Sequence, residues 1–370
     1  MGAVTNVALI SHGNLQANRL FDPAASRDNI LERFYWLREF ALSADMVCQT
    51  ADMFEPREID VLIFHDILNE LGTILKTVKA NSFVQLICVP NEPAFVAPLH
   101  DEKILPQLPV DAVLTWNDRI AGKFPHVIKC NIGQPMIDSE DIPNVSFINK
   151  KFICSIFANK PSTAPDSLFA ERIQSIDFFN QQLLKMDLYG IGWETSAYPF
   201  VQEAYRGKCA NKKEVQQQYK FCIAYENVEK IPGLITEKIF DCFAAGTVPI
   251  YLGAPNVEDD IPSSCFVDFR QFADYNALYY YLANMSEGEY QKYLDAAKSF
   301  IGSPQYRLFT STHYAEVVTK QVQLLTTRKT SARSLVGMKW LLLQLIVNHH
   351  QVLRNWRPYR RFVMAMVTIW

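Results

Sequence analysis

Polar residues of complementary chemistry separate two hydrophobic runs in the segment CIAYENVEKIPGLITEKIFDCFAAGTVPIYLG, residues 222–253. They are Glu226, Asn227, Thr236, Glu237 and Lys238. Thr236 is suited to cap a helix, which would place Glu237 and Lys238 in the first turn. The N–H groups of that turn and the lysine would attract an anion, while the Glu237 carboxylate could accept hydrogen bonds from sugar hydroxyls. The segment could therefore hold a nucleoside diphosphate; alternatively, Glu237 only favours the helix dipole and Lys238 is solvated.

The elements that would position this segment alternate between strands and helices. Strands are predicted at residues 6–10, 59–66, 83–90, 111–118, 151–158, 186–192, 220–227 and 247–253, and helices at 27–44, 167–184, 212–219 and 236–246. Such near-continuous apolar strands are typical of parallel sheets that helices cover on both faces. The pattern restarts after the polar segment 136–150. We therefore predict an α/β fold with two Rossmann-like domains facing a cleft, over residues 1–148 and 149–315.

A longer string around the polar cluster carries a family resemblance. YKFCIAYENVEKIPGLITEKIFDCFAAGTVPIYLGAPNVEDDIPSSCFVDFRQF, residues 219–272, resembles the donor-site signature of the α-1,3/1,4-fucosyltransferases, glycosyltransferase family 10, in their bacterial form. The resemblance implies a GT-B type fold in which residues 149–315 bind GDP-fucose and residues 1–148 face the acceptor. The sequence departs from the family at Leu234, where a tyrosine usually lies near the donor sugar.

Two further site residues follow from the same resemblance. FICSIFANKPSTAPDSLFAERIQSIDFF (152–179) is similar to the segment that opens the family's donor domain, so Arg172 is implied as a diphosphate ligand. CVPNEPAFVAP (88–98) resembles the acceptor-side loop of the family, and Glu92 is implied as the general base, with a pKa that partial burial could raise. Lys208 is a further possible contact. Each has a simpler interpretation, such as an exposed helix arginine or a carboxylate that caps a turn.

The resemblance implies inverting transfer without a cofactor other than the donor. Glu92 would take the acceptor proton, while Arg172, Lys238 and the helix N-terminus would hold GDP as it leaves. Since protein cations can neutralise the phosphates, we predict that no metal is required. The adjacent acids in VEDDIP, residues 257–262, are better explained as surface groups.

Charge and composition limit the cellular context. The net charge is −3, but residues 317–370 carry nine Lys or Arg and no Asp or Glu, so the remainder carries −3 − 9 = −12. An acidic body without an RNA-binding motif argues against nucleic acid. Eight scattered cysteines favour buried thiols and a reducing cytoplasm. The sequence contains no signal-peptide pattern and no uncharged run of about 18 apolar residues that could span a membrane.

The basic C-terminal segment, residues 316–370, is predicted to form an amphipathic helical tail. Residues 333–370 combine basic side chains with Trp340, Trp356 and Trp370, a composition suited to an anionic membrane surface. The alternative is a helix packed on the N-terminal domain. The first interpretation predicts a cytoplasmic protein that is peripheral on the membrane, with an oligosaccharide or glycolipid acceptor.

Two competing functions remain open. The same fold could use another nucleotide sugar, for which Leu234 is the motive. The chain could also be a non-catalytic nucleotide-sugar-binding scaffold, in which case the replacement of Glu92 would change nothing measurable.

Overall fold

The computed structural model describes residues 4–94, 96–162, 164, 166–196, 198–327 and 331–338. Contacts divide the chain into two units. The first runs to Gly133 and resumes at Ser311, and the second spans Gln134–Thr310. The sequence had placed its boundaries after residues 148 and 315.

The first unit is built on a six-stranded parallel sheet. Its elements are β1 (Thr5–Leu9), α1 (Glu32–Ser43), β2 (Met46–Thr50), β3 (Val61–Phe64), α2 (Ile67–Ala80), β4 (Gln85–Cys88), β5 (Ala112–Thr115) and β6 (Val127–Lys129). The strand order is β2-β1-β3-β4-β5-β6, and all neighbours run parallel. The connection therefore changes direction between β1 and β3, where open α/β sheets bind ligands.

The second unit contains a second six-stranded parallel sheet. Its elements are β7 (Lys151–Ile156), α3 (Phe169–Asn180), β8 (Met186–Tyr189), α4 (Pro199–Ala204), β9 (Tyr205–Gly207), α5 (Lys212–Gln216), β10 (Tyr219–Tyr225), α6 (Glu237–Ala244), β11 (Val248–Leu252), α7 (Val257–Asp260), β12 (Val267–Asp268), α8 (Tyr275–Ala283), α9 (Glu287–Ile301) and α10 (Pro304–Arg307). The order β12-β11-β10-β7-β8-β9 is the Rossmann order, with its switch point between β7 and β10. The predicted α/β class, with two parallel-sheet domains, is confirmed.

The last described helix, α11 (Ser311–Thr326), belongs to the first unit. Its buried residues Tyr314, Val318 and Val322 pack in one apolar cluster with Phe34 and Leu37 of α1. The other face of the sheet packs on α2. Every residue of β3 and β4 is buried, as expected for strands that are covered on both faces.

One difference from the predicted elements concerns the start of the helix at 27–44. The α-helix begins at Glu32, because Asp28 and Asn29 adopt left-handed φ values of 56° and 52° that a right-handed helix cannot contain. Strands β2, β6, β9 and β12 were not predicted. Each is short or alternates with polar residues, so no continuous apolar run marks it.

The predicted tail begins within α11, and residues 333–338, the described part of the predicted membrane-binding segment 333–370, contact the first unit. Arg333 donates from Nε to Val84 O and from Nη1 to Pro109 O, both at 3.0 Å, and its Nη2 pairs with Asp111. Met338 is buried in the α2-side cluster. This cation of the predicted membrane segment is therefore bound to protein, while residues 339–370 lie outside the described residues. In the part of the chain that is described, no helix is both long and apolar enough to cross a membrane.

Candidate functional site

The carboxyl end of β10 brings the polar residues of the central segment together. Glu226 follows the strand directly, and its backbone N–H continues the ladder by donating to Leu252 O at 2.8 Å. Thr236 lies at the N-cap position of α6, which places Glu237 and Lys238 in the first turn. The hydrophobic face that anchors this helix, Ile239, Phe240 and Phe243, is buried as predicted.

Glu226 is fully buried, and both of its carboxylate oxygens are hydrogen-bonded. Oε1 accepts from Thr236 N at 2.8 Å and lies 3.0 Å from Thr236 Oγ1. Oε2 lies 2.8 Å from the same hydroxyl and 3.1 Å from Lys238 Nζ. The Thr236 side chain therefore makes no helix-capping bond, since it contacts Glu226 and Lys238 instead. We interpret Glu226 as the residue that fixes Lys238.

Lys238 remains a protonated cation in this setting. Burial lowers its pKa, but the charges of Glu226 and Glu237 outweigh that effect and leave the pKa raised. For Glu237, burial raises the pKa, and the charges of Lys238 and Lys212 then lower it to about 2. The Glu237 side chain is 39% exposed and lies 3.5 Å from Lys238 Nζ. A charged, accessible carboxylate next to an ammonium group is suited to a ligand that carries both hydroxyls and phosphates.

Arg172 reaches the same edge from α3. Its Nη2 donates to Tyr225 O at 2.5 Å and to Asn227 Oδ1 at 3.1 Å, and the guanidinium lies over the Phe157 ring. The residue is 7% exposed. Burial lowers its pKa to about 10 against the opposing charges of Glu226 and Glu237, so it stays protonated at neutral pH. Arg172 and Lys238 thus supply two cations at one strand end.

The six residues predicted to bind the donor are therefore assembled at the β7–β10 switch point. We call them the carboxyl-edge cluster: Arg172, Glu226, Asn227, Thr236, Glu237 and Lys238. Lys212 was missed by the sequence interpretation. It pairs with Asp241 at 2.7 Å and its charge acts on Glu237, a proximity that residue spacing alone does not indicate.

Gly253 allows the cluster to pack against β11. A Cβ atom at this position would lie 2.5 Å from Glu226 Cγ and 2.7 Å from the Tyr251 hydroxyl. We therefore expect Gly253→Ala to lower the free energy of unfolding by about 1–3 kcal/mol, as overpacking of a core does. Urea denaturation measures the change. Gly288→Ala is the matched control, since its Cβ would meet nothing within 4 Å; an equal loss in both variants would contradict the steric account.

The remaining predicted residues lie apart from this cluster in the chain. Glu92 follows β4 in the first unit, and its side chain is exposed. Lys208 belongs to the second unit but lies 3.9 Å from Glu194, and its side chain is 70% exposed.

The described residues contain no group of three or more His, Cys, Asp or Glu that could hold a metal ion. Metal independence stays a prediction. All eight cysteines are buried.

Comparison with protein-family models assigns a family to the C-terminal half of the chain. The model described as glycosyltransferase family 10 (fucosyltransferase), C-terminal part, matches residues 149–336. The match spans just over half of the 370 residues and includes the whole carboxyl-edge cluster. The chain belongs to glycosyltransferase family 10. It is therefore a member of a family of fucose-transferring enzymes.

Curated relatives of this family-10 chain match over a short segment. The α-(1,3)-fucosyltransferase FucT of Helicobacter pylori is 39% identical over 66 residues, 18% of this chain and 14% of that protein. The α-(1,4)-fucosyltransferase of Arabidopsis thaliana is 36% identical over 69 residues, 19% of this chain and 17% of that protein. The chain thus matches less than a fifth of the length of either relative.

Solved structures resemble the family-10 chain over most of its length. A crystal structure of an α1,3-fucosyltransferase superposes with a TM-score of 0.54 at 14% identity, covering 90% of this chain and 93% of that one. Anabaena Alr3699/HepE, solved in complex with UDP-glucose, gives 0.54 at 10% identity, covering 86% and 99%. At these identities the likeness concerns the fold alone.

Leu234 is the position at which the resemblance led us to expect a tyrosine near the donor sugar. Its side chain is 2% exposed. Its backbone carbonyl lies 3.5 Å from the Tyr251 hydroxyl, which also accepts from Ala254 N at 3.1 Å. Leu234 is therefore part of the packed loop before α6, and it offers no hydroxyl to a donor sugar.

Proposed function

We propose that this protein transfers fucose from GDP-fucose to a hydroxyl group of a glycan acceptor, with inversion at the anomeric carbon. The observation that carries the proposal is the carboxyl-edge cluster of a family-10 domain. Two cations, Arg172 and Lys238, lie beside an exposed, ionised Glu237 at the start of a helix. This arrangement complements the diphosphate and the ribose of a nucleotide sugar.

The transfer proceeds as one displacement. The acceptor hydroxyl attacks the anomeric carbon from the face opposite the diphosphate, Glu92 removes its proton, and the bond to the diphosphate breaks. Charge develops on the departing phosphate oxygens, where Lys238, Arg172 and the N–H groups of α6 stabilise it. Because these charges are already fixed by Glu226 and Asn227, little reorganisation is needed as the bond breaks.

The choice of GDP-fucose rests on the family and on its named relatives. A structure of an α1,3-fucosyltransferase solved with GDP superposes with a TM-score of 0.51. The fold itself does not select the base, since the Anabaena protein of the same fold was solved with UDP-glucose. We propose an α-1,3 linkage, as in the name of the Helicobacter pylori relative. An α-(1,4)-fucosyltransferase and a protein O-fucosyltransferase also match, so the linkage needs its own test.

A turnover panel tests the proposal. The protein is incubated with GDP-fucose, GDP-mannose or UDP-glucose and a set of oligosaccharide and glycolipid acceptors, with and without a metal chelator. Nucleotide release and the mass of the product are followed, and NMR of the product gives linkage and anomeric configuration. We expect GDP release and fucosylated product with GDP-fucose, and no effect of the chelator. If product formed only with another nucleotide sugar, that sugar would be the donor. A different donor is the second candidate because the buried Leu234 stands where a tyrosine was expected near the donor sugar.

A further inference from the structure

Two histidines, the half-buried His65 and the buried His100, contact the loop that carries Glu92. In the first unit, His65 follows β3, and its Nδ1 lies 2.9 Å from Val89 O, immediately after β4. The Nδ1 atom of His100 lies 2.7 Å from the backbone oxygen of Glu92 itself. A carbonyl oxygen only accepts hydrogen bonds, so each Nδ1 carries a proton and donates. Both ends of the segment Val89–Glu92 are therefore held by an imidazole N–H.

Both imidazoles are neutral at physiological pH. Burial lowers the pKa of His65 to about 4, although its bond to Val89 opposes that effect. Burial also lowers the pKa of His100, against the opposing backbone contacts with Glu92 and His65 and the charge of Asp66. With Nδ1 protonated, a neutral ring leaves Nε2 without a proton. His65 Nε2 is buried and has no hydrogen-bond partner among the described residues.

The surroundings fix His65 in turn. Glu70, in the first turn of α2, accepts from the backbone N–H of His65 at 2.8 Å and from that of Asp66 at 3.2 Å. Its other oxygen lies 3.4 Å from Nε2 of His12, which follows β1. The Phe34 ring packs edge-on against the His65 ring with centroids 5.5 Å apart. Groups from β1, α1 and α2 thus converge on the switch point of this sheet.

The Glu92 residue is exposed. A general base must lie within about 2.6–3.2 Å of the proton that it removes. The position of the Glu92 carboxylate therefore depends on the backbone that carries it. His100 meets this need directly, because its hydrogen bond ends on the Glu92 carbonyl. On the far side of Glu92, Ala97 N donates a backbone hydrogen bond to Pro93 O at 3.1 Å.

We infer that His65 and His100 are positioning residues, which hold the Glu92 loop through Nδ1–H bonds so that the Glu92 carboxylate meets the acceptor hydroxyl. The inference rests on the proposed function, in which Glu92 is the general base. Neither histidine touches substrate in this account. Their effect is on turnover through Glu92, and donor binding in the second unit is unaffected.

The test compares His100→Asn with His100→Gln. Asparagine places its amide nitrogen where Nδ1 stands, whereas glutamine places it where Nε2 stands, so the former alone keeps the bond to Glu92. We expect the kcat of His100→Asn to stay within about 3-fold of the parent value and the kcat of His100→Gln to fall at least about 10-fold. KM for the donor should be unchanged in both variants.

His126→Gln and His126→Asn are the matched controls in the same unit. His126 contacts Pro106 O at 2.9 Å through Nε2. We therefore expect His126→Gln to be more stable than His126→Asn, and kcat to be unchanged in both.

A second background separates positioning from general stability. In Glu92→Gln, the further change His100→Gln should leave the residual kcat unchanged, since residues that act as a unit are not additive. Independent, multiplying losses would overturn the inference, as would equal activity of His100→Asn and His100→Gln. Should His100→Gln fail to fold, His65→Asn and His65→Gln give the same comparison at Val89. If Glu92→Gln itself keeps full turnover, the base assignment fails and the inference fails with it; if Glu92→Gln is inactive and His100→Gln is not, the inference alone fails.

Discussion

Replacement of Glu92 by glutamine is expected to lower kcat by about 10²–10⁴-fold, the contribution of a positioned general base. Glutamine keeps the size and the exposed position of the side chain, but it cannot take a proton. GDP binding should be unchanged, because the carboxyl-edge cluster lies in the other unit of the chain. The measurement is steady-state turnover of GDP-fucose, with calorimetric titration of GDP for each variant.

The matched control for Glu92→Gln is Glu102→Gln. Glu102 is a second, partly exposed acid of the first unit, and it pairs with Arg119 at 3.2 Å. Its replacement should leave turnover at the parent level. Equal turnover of Glu92→Gln and the parent would contradict the catalytic assignment and favour a nucleotide-sugar-binding scaffold, whereas lost GDP binding would show that Glu92→Gln disturbs more than the base.

Lys238→Met is expected to have the second large effect, on both stability and turnover. The variant removes a cation from the departing diphosphate, which should lower kcat by about 10²–10³-fold if it resembles the loss of an oxyanion donor. It also leaves Glu226 fully buried without its charge partner. Breaking a buried ion pair from one side lowers the free energy of unfolding by about 3–5 kcal/mol. Urea denaturation and turnover measure the two effects separately.

The double variant Glu226→Gln/Lys238→Met distinguishes these two contributions. It removes both charges, so no buried carboxylate is left unpaired, and much of the stability should return. GDP binding and turnover should not return, because the cation is still absent. Recovery of turnover together with stability would show that Lys238 acts through folding alone. Lys298→Met, at an exposed pair with Glu140, is the control and should change neither quantity.

Much of the fold and the site could be predicted because the informative residues are close together in sequence. β10, Thr236 and Gly246 mark a strand, a helix start and a helix end within one segment, and Gly246 has the left-handed φ of 61° that such an end requires. Apolar strands of a two-sided parallel sheet are also distinctive. Edge strands such as β2 are less distinctive. The residues of β2 alternate between buried and partly buried, so no continuous apolar run marks the strand.

Side-chain contacts that depend on how the chain folds back on itself could not be predicted. No pattern indicates that Glu226 turns inward to bind Thr236 and Lys238 instead of facing a ligand. The contacts of His65 with Val89 and of His100 with Glu92 depend on how loops fold back at a sheet edge. The path of the chain after Thr310 could not be predicted either. Its composition indicates a basic tail, but only the three-dimensional contacts show that Arg333 binds the first unit.

Calorimetric titration of the full chain with GDP and with UDP tests the central claim most directly. The cluster around Lys238 and Arg172 is proposed to hold a guanosine diphosphate, so GDP should bind and UDP should bind at least about 10-fold more weakly, a difference of about 1.4 kcal/mol. Lys238→Met should weaken GDP binding, whereas Lys298→Met should not. Absence of GDP binding, or binding of UDP as tight as that of GDP, would contradict the assignment of this edge as a GDP-fucose site.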